Sequence, residues 1–79
     1  MIIMPNPGNL YKHFKGNFYR IIGVGVHTET KELLVIYKED GGSLIWVRPL
    51  DMFFDLVDRE KYPDADQTYR FELVDEEEV

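Results

Sequence analysis

Apolar and polar residues alternate with a period of two along most of the chain, a pattern that predicts β-strands rather than helices. The segments that show it are residues 9–14, 18–27, 32–38, 43–48 and 67–74. Turn residues separate the first four segments: Lys15-Gly16-Asn17, Thr28-Glu29-Thr30-Lys31 and Asp40-Gly41-Gly42. Glycine and asparagine accept the positive φ angles of tight hairpins. We therefore predict four consecutive antiparallel strands and a fifth near the end of the chain.

The pattern changes after Pro49, which ends the fourth strand because it has no N–H to donate to a sheet. Within residues 50–57, Asp51 is positioned to cap a short helical turn through Met52, Phe53, Phe54 and Leu56. Residues 58–66 are polar and contain Pro63, so they are predicted to form a loop. One face of the last strand is expected to be half-buried, and it carries Tyr69, Phe71 and Leu73.

Five short strands with one helical turn before the last indicate an all-β fold. Closing such a sheet into a small barrel removes its exposed edges, and the position of the helical turn favours an SH3-like barrel. An OB-like barrel is the alternative, although it usually inserts its helix between strands three and four. With 79 residues the chain has room for one core. We expect one domain over residues 1–74 and a solvated acidic tail over 75–79.

The composition bears on the cellular compartment in which the protein is expected to act. Cysteine is absent, which excludes disulfides and thiolate metal sites and fits a reducing cytoplasm. No apolar run approaches the roughly 18 residues needed to cross a membrane. Met1 to Met4 is too short, and lacks the basic start, for a secretory signal. We therefore expect a cytoplasmic protein that has no membrane partner.

The net charge of −6 is unevenly distributed. Residues 1–38 carry five bases and two acids, whereas residues 39–79 carry four bases and thirteen acids. The acidic half would repel a phosphate backbone. Nucleic acid is therefore not the expected partner.

Four separated motifs are distinctive: YKHFKGNFY (11–19), HTET (27–30), VIYK (35–38) and LIWVRPLDMF (44–53). In this order and spacing they resemble the bacterial family called domain of unknown function 1653. The resemblance extends over about residues 8 to 57. It departs from many relatives after Tyr37, where those chains have a longer stretch with another aromatic residue. The resemblance implies an SH3-like barrel and carries no assigned activity.

The alternation within strands places side chains on faces. In the second strand Tyr19, Ile21, Gly23, Gly25 and His27 share one face. The two glycines either let the strand coil for barrel closure or open a groove for a ligand. In the fourth strand Leu44, Trp46 and Arg48 share a face, opposite Ile45 and Val47.

Two of these side chains have alternative roles. Trp46 is either a core aromatic residue or a stacking platform. Arg48 can stack on an aromatic ring or pair with a carboxylate such as Glu29.

The leading hypothesis is a non-catalytic binding module for a peptide, a protein or a small polar ligand. Aromatic-lined grooves on small barrels do hold extended peptides. The predicted binding residues are His13, Lys15, Tyr19, His27, Glu29, Tyr37, Trp46 and Arg48. We predict no catalytic residue, metal ligand or cofactor, because the two histidines lack ligand spacing and no serine lies in a nucleophile elbow.

Three alternatives stay open. The chain could bind single-stranded nucleic acid through its tyrosines, Trp46 and nearby lysines. It could be a small enzyme, or an accessory subunit of one, that uses His13 or His27 as acid or base while Lys15 or Arg48 holds an anion. Exposed edge strands could also pair in a homodimer.

Overall fold

Five antiparallel strands form a single sheet in the computed structural model, which describes residues 4–76. In chain order the elements are β1 (Leu10–His13), β2 (Phe18–Val26), β3 (Leu33–Glu39), β4 (Ile45–Pro49), α1 (Leu50–Phe53) and β5 (Phe71–Leu73). The strands lie in the order β4-β3-β2-β1-β5. This arrangement is a four-stranded meander to which the last strand returns beside the first. The predicted all-β fold, with five strands and one short helix before the last, is confirmed.

The predicted turn residues make the hairpins. Gly16 has φ of 105° and Gly41 has φ of 85°, the left-handed region that glycine adopts without strain. The Gly16 N–H donates to the carbonyl of His13 at 2.8 Å, and the Gly42 N–H donates to that of Glu39 at 2.7 Å. These bonds fix the ends of the β1–β2 and β3–β4 hairpins.

A β-bulge in β2 corrects the predicted face of that strand. Ile21 lies opposite Tyr37, but Gly23 lies opposite Ile36, so Ile22 is an extra residue. Because cross-strand partners share a face, the bulge moves the glycines to the face opposite that of Tyr19 and Ile21. The predicted bare face running from Tyr19 through both glycines is therefore wrong.

The last strand is shorter than residues 67–74. It comprises only Phe71–Leu73. The backbone N–H groups of Thr68 and Tyr69 both donate to Glu72 Oε2 at 3.1 Å, so they bond a side chain instead of a neighbouring strand. Phe71 is 2% exposed, whereas Tyr69 and Leu73 are 47% and 59% exposed. Of the three residues predicted to share a half-buried face, only Phe71 is buried.

The helix is a single turn, and its predicted cap is wrong. It ends at Phe53, and the residue at its N-cap is Pro49, which makes no side-chain capping bond. Asp51 lies inside the first turn, where its Oδ1 accepts from the Met52 N–H at 2.9 Å. Leu56 then forms an isolated β-bridge with Tyr69, which turns the chain away from helical geometry.

The core is built mainly from aromatic rings. Its buried residues are Tyr11, Ile21, Val35, Tyr37, Leu50, Phe53 and Phe71. The rings of Phe53 and Phe71 stack with centroids 4.2 Å apart and planes 5° from parallel. Tyr11 and Tyr37 contact Phe53 edge-on at 5.2 and 5.5 Å. Trp46, in contrast, is 49% exposed and lies outside this core.

The acidic tail is attached to the sheet at its first residues. Glu76 accepts from Arg20 Nη1 at 2.7 Å, and Arg20 Nη2 lies 3.6 Å from Asp40. Glu76 stays exposed in this ion pair, so the solvated tail remains a prediction, and residues 77–79 lie outside the described part of the chain. Within residues 4–76, no helix has the length and apolar character needed to cross a membrane.

Replacing Phe53 with alanine is expected to lower the free energy of unfolding by about 3–5 kcal/mol, because the ring is fully buried and its partners cannot fill the space. A domain of this size has roughly 4–12 kcal/mol in total. Urea unfolding followed by circular dichroism measures the loss. Leu56→Ala, at a side chain that is 64% exposed, is the control and should change stability by less than about 0.5 kcal/mol. Equal losses in the two variants would contradict the assignment of Phe53 to the core.

Candidate functional site

A cleft opens where the end of β1, the end of β4 and the start of β5 come together. Its volume is about 330 Å³. The residues that line it are His13, Phe14, Lys15, Arg48, Val57, Asp58, Lys61, Tyr62 and Arg70. The cleft is the candidate functional site because it combines a concave shape with a concentration of cationic side chains.

One wall belongs to the α1–β5 segment, residues 54–70, part of which was predicted to be a simple loop. Arg59 braces this segment by donating to the carbonyls of Ala65 at 2.6 Å and Gln67 at 3.0 Å. The buried Gln67 side chain donates in turn to the carbonyl of Lys12 on β1 at 3.0 Å. These bonds hold the segment against the sheet, so the position of the wall is fixed by folded structure.

Aromatic rings join the two sides of the cleft. Tyr62 contacts Phe14 edge-on with centroids 4.9 Å apart. The Lys15 ammonium lies 5.3 Å from the Tyr62 ring centroid, and the Lys61 ammonium lies 5.6 Å from it. Cation–π attraction therefore holds both lysines at the cleft without neutralising them.

The cleft is cationic within an acidic protein. Four of its lining residues are bases (Lys15, Arg48, Lys61 and Arg70) and one is an acid, whereas the whole chain has a net charge of −6. Among residues 4–76, Lys15, Arg48 and Lys61 form no ion pair, and Arg70 Nη2 lies 4.0 Å from an Asp55 oxygen. The single acid, Asp58, uses its Oδ1 to accept from the backbone N–H groups of Glu60 and Lys61 at 3.0 and 3.4 Å. Even with Asp58 in the lining and Asp55 beside Arg70, the four cations leave the cleft with an excess of positive charge.

The two arginines are positioned by the core and by β5. Arg48 Nε donates to the Tyr37 hydroxyl at 3.4 Å, and the fork formed by its two Nη groups takes no part in that bond. Arg70 precedes the buried Phe71, and its backbone carbonyl accepts from the Phe14 N–H at 3.0 Å. The Arg70 Nε is buried and has no hydrogen-bond partner among the described residues. The Arg48 Nη groups therefore keep hydrogen-bonding capacity at the cleft, whereas the unused Nε donor of Arg70 is shielded from solvent.

His13 is held in a neutral form at the edge of the core. Its ring stacks on Phe14 with centroids 4.5 Å apart and meets Phe71 edge-on at 4.9 Å. Burial, together with the positive charges of Arg70, Lys15 and Arg48, lowers the pKa of His13 from 6.5 to about 4. His13 Nδ1 accepts the Lys15 backbone N–H at 3.1 Å, so the neutral ring carries its proton on Nε2. At neutral pH the imidazole can thus act as a hydrogen-bond donor.

The structure brings three of the predicted binding residues to the cleft: His13, Lys15 and Arg48. Two others lie behind it in the aromatic core. Tyr37 is buried and accepts from Arg48. Tyr19 is half-buried, and its ring centroid is 6.3 Å from that of His13.

The remaining three predicted residues lie elsewhere. His27 and Glu29 belong to the β2–β3 turn, at the opposite end of β2 from His13. His27 Nδ1 accepts from the backbone N–H of Glu29 at 3.2 Å, so the ring closes its own turn. Of the two roles considered for Arg48, the pairing with Glu29 is not formed. Trp46 lies on β4 and does not line the cleft.

Six lining residues were not predicted from the sequence: Phe14, Val57, Asp58, Lys61, Tyr62 and Arg70. The sequence held a partial indication of two of these residues, because Lys61 and Arg70 are two of only four bases in the acidic half of the chain, residues 39–79. Tyr62 is likewise an aromatic residue within an otherwise polar stretch. Across the described residues, no three histidine, cysteine, aspartate or glutamate side chains are grouped to hold a metal ion.

Comparison with protein families decides the relationship of the chain to known sequences. The family described as protein of unknown function (DUF1653) matches residues 9–73. The chain belongs to this family. The match begins before β1 and ends with β5, so every residue that lines the cleft lies within the part shared with DUF1653. Curated proteins give no match, and neither do solved structures.

We predict that NMR titration will give His13 a pKa of about 4. Lys15→Met should raise this pKa because it removes a nearby cation, whereas Lys12→Met, on the opposite face of β1, should leave it unchanged. The unfolded chain binds the proton with an ordinary pKa of 6.5, so His13 makes stability fall as the pH drops from about 6.5 to about 4. A His13 pKa at or above its ordinary value would contradict the burial and the positive surroundings described here.

Proposed function

We propose that the chain is a non-catalytic binding module whose cleft holds an anionic group of a small polar ligand, a peptide or a protein. Carboxylates and phosphates are the matching chemical classes. The observation that carries the proposal is the convergence of Lys15, Arg48, Lys61 and Arg70 around one cleft that contains a single carboxylate. An excess of cations in a concave site attracts oxyanions.

The donors have the types that oxyanion recognition requires. The Nη groups of an arginine can bind two oxygens of a carboxylate or phosphate, and lysine adds a point charge. The Nε2–H of neutral His13 adds a directed donor. The rings of Phe14 and Tyr62 supply apolar walls, as in small-molecule sites generally. A volume of about 330 Å³ suits a small molecule or the end of a peptide.

The geometry supports binding better than acid–base catalysis. A general base needs a free lone pair directed at its substrate. In His13 the Nδ1 lone pair already accepts the Lys15 N–H, and Nε2 carries the proton. The histidine is therefore placed to donate to an anion, not to remove a proton from a substrate.

Single-stranded nucleic acid is less well supported as the ligand. Two of the tyrosines considered as stacking platforms, Tyr11 and Tyr37, are buried at 3% and 5% exposure. The cations gather in one cleft instead of following a groove that could track a nucleic-acid backbone.

We also propose that the sheet is an SH3-like barrel and that the protein acts in the cytoplasm. The strand order, with β5 returning beside β1 after a short helix, supports the first statement. The absence of cysteine from the sequence supports the second.

Inorganic phosphate and acetate, titrated separately into the protein at low ionic strength, should test the proposal. At least one is expected to bind in a saturable manner and to shift the amide NMR signals of Lys15, Lys61 and Tyr62. Lys61→Ala should weaken this binding about tenfold because it removes one charged donor. Stronger binding of phosphate or of acetate identifies the preferred anion class.

Lys12→Ala is the matched control, since Lys12 is an exposed lysine on β1 outside the cleft. Equal weakening by Lys12→Ala and Lys61→Ala would show non-specific attraction and overturn the proposal, as would the absence of binding by both anions. A bound anion should also raise the pKa of His13, because it offsets the cations that lower that pKa.

A further inference from the structure

Strand β4 presents an unprotected edge of the sheet. It is the terminal strand of the order β4-β3-β2-β1-β5, and only β3 pairs with it among the described residues. Four consecutive apolar residues, 44–47, are exposed there: Leu44 at 69%, Ile45 at 55%, Trp46 at 49% and Val47 at 57%. An unpaired strand edge combined with apolar side chains on both faces is a template for another strand.

The opposite edge of the sheet is protected. Strand β5 has only three residues, and its central residue Glu72 is charged. Short length and charge are the usual means by which edge strands avoid pairing. On β4 the only charge is Arg48 and the only proline is Pro49, both at its end. The contrast makes β4 the candidate interaction surface.

The exposed area is large enough to matter for self-association. At these exposures, residues 44–47 present on the order of 400 Å² per chain. A two-fold contact would bury at most on the order of 800 Å² from these residues, against the roughly 1,200 Å² at which stable interfaces begin. The rest of the interface area can come from β3, where Ile36 and Lys38 lie beside Val47 and Ile45 on the same face of the sheet.

We propose that β4 pairs antiparallel with β4 of a second copy of this chain, with Trp46 on the two-fold axis. In this register Ile45 lies opposite the partner's Val47, and Leu44 lies opposite the partner's Arg48. All of residues 44–48 are paired, and the two arginines are kept at opposite ends. The pairing joins two five-stranded sheets into one of ten strands.

The absence of charge along this edge lets a second copy approach it. Residues 44–47 carry no charge, although the chain has a net charge of −6. Two copies therefore repel each other elsewhere but can approach along this strand. The edge requires a strand that is apolar on both faces, and the chain carries such a strand in the matching position. This inference is independent of the proposed anion site.

Sedimentation across a wide range of protein concentration tests the pairing. The full chain is expected to form a dimer, and Val47→Lys should weaken self-association by about tenfold or more because it places a charge in the contact. Leu73→Lys is the matched control, since Leu73 is 59% exposed on the other edge strand. This control should dimerise like the unmodified chain. A monomer at every concentration, or equal effects of the two lysines, would overturn the proposal.

Cysteine cross-linking tests the register, because the chain contains no cysteine of its own. A mixture of Ile45→Cys and Val47→Cys chains should form disulfide-linked dimers faster than either variant alone. Directly opposite Cβ atoms lie about 5 Å apart, whereas diagonal ones lie about 7–8 Å apart. Equal rates in the mixture and in the single variants would contradict pairing about Trp46. Binding of an added apolar peptide strand by a chain that stays monomeric would instead assign the edge to a foreign partner and overturn the dimer.

Discussion

The stack of Phe53 on Phe71 is the contact on which the rest of the structure depends. Phe53 ends the helix that follows β4, and Phe71 begins β5. These two strands lie at opposite ends of the sheet order, so the stack brings together parts of the sheet that share no backbone hydrogen bonds. Aromatic rings bury a large area and make directional contacts. One pair of rings can therefore hold the β4 end of the sheet against the β5 end.

The cleft is a consequence of the same stack. Arg70 is the residue before Phe71, and His13 lies directly opposite Phe71 in the β1–β5 pairing. Arg48 lies two residues before the helix. The cationic side chains are therefore attached to the backbone next to the stacked rings. A change that loosens the stack should move the walls of the cleft together with the core.

Gathering four cations in one place costs free energy, and the surroundings show how that cost is reduced. The ring of Tyr62 attracts two lysine ammonium groups. Asp55 lies near Arg70 at 4.0 Å, and the lowered pKa of His13 keeps a fifth positive charge away at neutral pH. An anion bound as proposed would relieve the remaining repulsion, so part of the cost of assembling the site would become a preference for an anionic ligand.

Local rules accounted for the strands and turns but not for the assembly of the site. Alternation and glycine placement predicted the hairpins, because those features depend on neighbours in sequence. The bulge at Ile22 was missed, since nothing in a period-two pattern marks an extra residue. Residues 58–66 were predicted only as a loop, because their placement comes from side-chain bonds that the local pattern does not show: Arg59 donates to the Gln67 carbonyl, and Gln67 donates to the Lys12 carbonyl on β1. Without that placement Lys61 and Tyr62 could not be assigned to the site.

Arg48 belongs both to the cationic cleft and to the exposed edge strand β4. Its side chain lines the cleft, and its backbone belongs to β4, the strand with the open edge. An edge strand held on one side only opens more readily than a central strand, because fewer contacts must break. Pairing along β4 would restrict that opening and keep Arg48 at the cleft, which lowers the ordering cost of binding an anion there. Coupling between binding sites is reciprocal, so an anion that holds Arg48 in place would strengthen pairing along β4 by the same factor.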